Sequence, residues 1–198
     1  MNFIVKWLAN LLVFVAIAGG GGIGSAWYMI EKGSSISTTA SGPWIAWPTA
    51  GRIDTDPYTR ARIVRHGLLP INSSLALTFE AETDGDGKRI HSACEYVVDM
   101  TGLDAGWWTL SVFADDGRLI RNAAERHAYN SATVVRDLEG QALVALARDA
   151  RPGNWLPTGG AGRLVLVLTV QDAKWVAGRL DAQGRLKPMP DIQRVACR

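Results

Sequence analysis

Residues 7–30, WLANLLVFVAIAGGGGIGSAWYMI, carry no charged side chain. No other feature of the chain limits its fate so sharply. As a helix rising 1.5 Å per residue, this run would be about 36 Å long, enough to cross a hydrocarbon layer of about 30 Å. Trp7 stands at one end, and Trp27 with Tyr28 at the other, where interfacial aromatics gather. Lys6 and the terminal amine add positive charge ahead of the run, whereas Glu31 and Lys32 nearly cancel behind it. That bias places the N-terminus in the cytoplasm and the rest of the chain outside, the topology of a single-pass protein of a bacterial inner membrane. A signal peptide cleaved after Ala26 is the competing reading. The run continues through WYMI into a charged stop, which favours an uncleaved anchor. Gly20 and Gly24 form a small-xxx-small pair at which a second membrane helix could approach, although glycine is common in such helices without a partner.

The 198 residues leave room for one folded domain behind the anchor, and 47% hydrophobic with 20% charged residues is the balance of a core-forming chain. Net charge is only +2, and arginines alternate with acids, as in RIDTDPYTRARIVR. A nucleic-acid binder needs a basic stripe, so nucleic acid is not an expected partner and the lipid bilayer is. Two cysteines, Cys94 and Cys197, are expected to form one disulfide closing a loop of about 100 residues in an oxidising compartment, the periplasm.

Three segments follow: residues 1–32 as N-terminus and anchor, 33–43 (GSSISTTASGP) as a flexible linker, and 44–198 as the exported domain. Asp56, Pro57 and Gly67 are a helix cap, first turn and stop, so one short helix is expected from about Pro57 to His66. The remainder reads as strands. LALTFEAE, IHSACEYVVDM, the two arms of GWWTLSVFADDGRLIRN about Asp116-Gly117, NSATVVRD, QALVALARD, GRLVLVLTVQD and AKWVAGRLDAQGRL are separated by turn signals every 8 to 12 residues. That spacing predicts an all-β sandwich or barrel without a parallel βαβ sheet. RPGNWLPTGG, residues 151–160, reads as a corner, because Pro152-Gly153 ends one strand and Gly159-Gly160 release the next.

No catalytic set emerges. Asp84 and Asp86 have the spacing of the first calcium-loop ligands, but Arg89 stands where that loop needs glycine, so a turn is expected. His66, His91 and His127 lack metal-ligand spacing, and no metal or cofactor is expected. Glu80, Glu82, Glu95 and Asp99 fall on strands expected to be adjacent, where two could face one another as in a glycoside hydrolase or simply alternate with the core as exposed acids. The tryptophans are more suggestive. Trp107 and Trp108, consecutive on one strand, must point to opposite faces, so one is left for a groove or a ligand. With Arg126, between apolar strands, and Trp155, in the corner, they make up the candidate binding residues.

Three segments, WPTAGRIDTDPYTRA, GWWTLSVFADDGRLIRN and NWLPTG, together with Arg126 resemble the domain-of-unknown-function 1214 family over about residues 44–189. The resemblance implies a jelly-roll β-sandwich and carries over no catalytic residue. Members often bear a companion domain of the 1254 type ahead of this one; here a membrane helix takes that place. The expected protein is therefore mainly β: a jelly-roll-like antiparallel β-sandwich with one short helix, preceded by one N-terminal transmembrane helix. Its expected role is that of a non-enzymatic binding or accessory protein of the cell envelope, its ligand unknown. The alternative is a carbohydrate-directed enzyme or lectin-like module.

Overall fold

The structure, a computed structural model, describes residues 3–179 and 188–198. The apolar run lies within α1 (Phe3–Lys32), a helix of 30 residues in which no side chain is buried. It is long and apolar enough to cross a membrane. No atom lies within 4 Å of a Cβ placed on Gly20 or Gly24, so that face of the helix is open.

Ten strands follow among the described residues: β1 (Thr39–Ser41), β2 (Trp44–Ala46), β3 (Leu77–Ala81), β4 (Cys94–Asp99), β5 (Trp108–Ala114), β6 (Ala128–Asn130), β7 (Leu143–Ala147), β8 (Asn154–Pro157), β9 (Leu164–Val170) and β10 (Asp191–Cys197). They make a six-stranded sheet, β1-β2-β3-β9-β5-β6, and a four-stranded sheet, β10-β4-β7-β8. This is the expected mainly β sandwich. Period-two alternation supplies its core: Leu77, Phe79 and Ala81 of β3, Leu164, Leu166, Leu168 and Val170 of β9, and Trp108, Leu110 and Val112 of β5 face inward. Tyr96 and Val98 of β4 with Val144 and Leu146 of β7 are buried with them from the other sheet. Each of the Val, Leu and Phe side chains among them contributes about 1.5–3 kcal/mol by leaving water. Trp44, fully buried, donates its indole N–H to the Pro190 carbonyl at 2.7 Å.

The helix α2 (Pro57–Arg65) starts as its sequence dictates. Asp56 accepts hydrogen bonds from the backbone N–H groups of Tyr58 and Thr59, both at 3.0 Å, and Gly67 at φ 61° ends the element.

Several elements depart from expectation. Thr39–Ser41, inside the stretch read as linker, pairs with β2. Asp116-Gly117 makes its turn, but the returning arm is reduced to a single bridge between Phe113 and Leu119. NSATVVRD is not a strand, because the Asn130 side chain accepts from the N–H groups of Ala132 and Thr133 and curls the chain at once. AKWVA is a short helix, α3 (Ala173–Ala177), because Asp172 caps it by accepting from the N–H groups of Lys174 and Trp175. The DAQG turn, 181–184, lies outside the described residues.

RPGNWLPTGG is more than a corner. Asn154–Pro157 is β8, in parallel register with β7, Val144 opposite Asn154 and Ala147 opposite Pro157. Parallel neighbours usually need a long crossover. Residues 148–153 suffice here, because the chain returns only from the level of Ala147 to that of Val144, about 10 Å at the rise of a strand. Pro157 is tolerated because β8 is an edge strand. The C-terminal β10, which no alternation announces, pairs antiparallel with β4 and brings Cys197 opposite Cys94. The two are disulfide-bonded across a sequence separation of 103.

Candidate functional site

The outward residues of β3 and β9 are polar where the inward ones are apolar. Thr78 and Glu80 alternate with Leu77 and Phe79, and Thr78 meets the Thr169 hydroxyl at 3.2 Å across the strand pair. This part of the six-stranded sheet is roofed by α2 and residues 68–76, which leave a cleft of about 330 Å3. Trp47, Ile63, Leu68, Leu69 and Ile71 supply apolar walls, and Thr78, Glu80 and Thr169 a polar floor. The roof is tied down locally. Ser73 donates to the Pro48 carbonyl at 2.6 Å, and its N–H donates to the Ala50 carbonyl. Gly51, at φ 72°, lets the chain pass against the Ile71 carbonyl, which any Cβ there would meet at 2.8 Å.

One arginine organises the cleft. Arg62 Nη2 lies 3.1 Å from Glu80 Oε2, and Nη1 donates to the Glu31 carbonyl at 2.9 Å. The guanidinium stacks over Trp47, 4.1 Å from the ring centroid. Burial is the main cause that pushes the Glu80 carboxyl above its ordinary value, and nearby Glu82 adds to it. Arg62 and His66 pull the other way without prevailing. Around the same corner Glu31 pairs with Arg65 Nε at 2.5 Å and His66 Nε2 at 3.2 Å, while Lys32 reaches Glu82 at 3.7 Å. The cleft therefore stands directly against the last turn of the apolar helix.

The four candidate binding residues lie elsewhere. Trp108 is 1% exposed and belongs to the core, and Trp107, 41% exposed, is the outward member of the pair. Arg126 and Trp155 do come together: Arg126 Nη1 approaches the Trp155 carbonyl at 3.4 Å, and its guanidinium lies 5.6 Å from the Tyr129 ring centroid. Tyr129 Oη accepts from the Trp155 N–H, and the Trp155 indole donates to the Ala147 carbonyl, so this cluster closes the seam between β6 and β8. Neither pair enters the cleft.

The four acids are split between the sheets. β3 and β4 are not neighbours as expected; Glu80 and Glu82 belong to the six-stranded side, Glu95 and Asp99 to the four-stranded one. Glu95 is held by Arg151, and Asp99 accepts from the Thr101 N–H. Among the described residues Glu80 is the one acid lining the cleft, so the two-carboxylate arrangement of a glycoside hydrolase is not assembled there. Asp84 builds the turn expected of it, accepting from the N–H groups of Asp86 and Lys88 and pairing with Arg194 at 2.7 Å.

What sequence reasoning missed is that Glu80 is joined by Trp47 and Arg62. Thr59, Arg62 and Ile63 recur at helical spacing on one side of α2, and that periodicity was the available signal. It does not say which sheet face the helix covers.

The family model described as "Protein of unknown function (DUF1214)" matches residues 75–174, half of the chain. The chain belongs to the DUF1214 family. The DUF1214 match runs from the roof of the cleft to α3 and includes Glu80 and Thr169, whereas Trp47 and Arg62 precede it. A crystal structure of the VPA0106 protein from Vibrio parahaemolyticus is similar to this DUF1214 chain with a TM-score of 0.60 at 16% identity, over 94% of this chain and 46% of that one. The chain thus spans about half the length of that protein, and the likeness concerns the fold alone. A putative uncharacterized protein from Burkholderia cenocepacia aligns at 14% identity and a TM-score of 0.40, over 87% of this chain and 39% of that one. No curated protein matches the sequence.

Proposed function

We propose that this DUF1214 protein is a non-enzymatic binding protein of the bacterial cell envelope. In this reading α1 is an uncleaved, single-pass anchor in the inner membrane, the N-terminus is cytoplasmic and the β-sandwich is periplasmic. The ligand is a small amphiphile with a hydroxyl or amine at one end. The cleft carries the proposal: apolar walls over a floor of Glu80, Thr78 and Thr169, at a volume near the lower end for ligand sites. Arg62 directs two of its N–H donors at Glu80 and the Glu31 carbonyl, so its charge is already faced by a carboxyl and an incoming polar end meets Glu80 and the hydroxyls of the floor.

Native mass spectrometry of the full chain, extracted from its own membranes in mild detergent, tests the reading. The wild type is expected to carry a bound small molecule that Ile63→Trp, which fills the cleft, does not. Spectra free of ligand for both would remove the proposal. The topology is tested separately, with alkaline phosphatase fused after Arg198; an inactive fusion would reverse the assigned orientation.

A lectin-like reading has one observation in its favour, the exposed face of Trp107. A glycan array probed with the full chain decides it, since binding that Trp107→Ala abolishes would place the ligand there instead.

A further inference from the structure

The chain leaving α2 is more apolar than a solvent-exposed loop needs to be. Val64 is 76% exposed, Leu68 42%, Leu69 97% and Ile71 54%, within eight residues of sequence. Basic residues stand beside them: Arg60 and Arg65 lie with Val64 along the outer side of α2, and His66 follows. Apolar side chains among arginines are the composition of a segment that lies in the plane of a membrane interface, its apolar atoms between acyl chains and its cations among phosphates.

Position supplies the second argument. Arg62, Arg65 and His66 all contact Glu31, in the last turn of the membrane helix, at 2.9, 2.5 and 3.2 Å. A helix that crosses the bilayer brings that turn to the headgroup layer, which is about 5–8 Å deep on each side. Leu68 begins two residues beyond His66. The patch is thus continuous with the surface by which α1 meets lipid.

We propose that Val64, Leu68, Leu69 and Ile71 seat in the outer-leaflet interface beside α1, with Arg60 and Arg65 at the phosphates. The occupant of this surface is the lipid bilayer, not a second copy of the chain or another protein. Leu68, Leu69 and Ile71 also wall the cleft, so its mouth would face lipid rather than open water.

The test uses the full chain, one copy per nanodisc, in a bilayer containing anionic phospholipid. A nitroxide is attached at Leu69→Cys or, for comparison, at Leu138→Cys, a fully exposed position on the turn ahead of β7. Both side chains are almost wholly exposed, so neither substitution removes a core contact, and Cys94 with Cys197 are already bonded to each other. At position 69 power saturation should show strong relaxation by oxygen and severalfold weaker relaxation by a water-soluble nickel chelate than at position 138. Equal access of the nickel chelate to both positions would overturn the proposal. So would protection of position 69 that appears only with two chains per disc, which would assign the patch to a dimer. Because no ligand is added, failure here leaves the cleft's binding role standing, and an empty cleft leaves the membrane contact standing.

Discussion

Glu80 occupies an outward position of a strand, where acids ordinarily meet water, yet α2 lies over it. Its folded-state pKa is raised above the ordinary 4.5, mainly by burial. The sign of the pH dependence follows: the contribution to stability is fully present below the ordinary value and is lost as pH rises through the raised one. Relative to Glu80→Gln, which cannot ionise, the wild type should lose thermal stability as pH rises above about 4.5 and through the raised value. A difference in Tm that stays flat across that range would show that the carboxyl is not held in this way. Alternation within LALTFEAE was enough to place Glu80 on the outer face of a strand. Its pairing with Arg62 was not legible, because the two side chains meet only once the helix has docked.

Among the elements, α2 was readable because a single cap residue sets its start. Asp56 accepts from Tyr58, Thr59 and Thr49, and these bonds outweigh burial to hold its carboxyl below the usual value. Asp56→Ala should cost about 0.5–2 kcal/mol. That cost should be present above about pH 3.8 and vanish as pH falls through the lowered value, a trend that denaturant titrations at several pH values would show. A cost independent of pH would assign Asp56 a packing role instead. The elements that could not be read share a cause. β8 is held by parallel pairing to β7 and by the Asn154 side chain, which donates to the carbonyls of Val135 and Leu143. In α3, Asp172 also accepts from the N–H of Gly106, 66 residues away in sequence. Turn chemistry and local periodicity hold no record of such distant partners.

For the whole molecule, the sandwich was legible from the density of alternating segments, but the division of strands between two sheets was not. Pairing order is set by which strands meet across the core, and β3 joins β9 while β4 joins β10 and β7. The disulfide sits at one such long-range pairing, holding β10 to β4 across 103 residues. Replacing Cys94 and Cys197 together by alanine should lower unfolding stability by about 4–5 kcal/mol in the chain-entropy account. Equilibrium unfolding of the variant beside the wild type measures it, and a change below about 1 kcal/mol would mean that the ladder alone secures β10.

The apolar helix α1 is stitched to the domain by Glu31 and Lys32 through Arg62, Arg65, His66 and Glu82. A free eleven-residue tether would let a module wander over a root-mean-square span of about 18 Å. These contacts withdraw that freedom and make the molecule a bracket of set height and heading. A domain of this size has a radius of gyration of about 15 Å, so with α1 across a bilayer, as we propose, its working volume would be a thin shell along one face of that bilayer. Whatever it meets must come to that shell, for the domain cannot reach out.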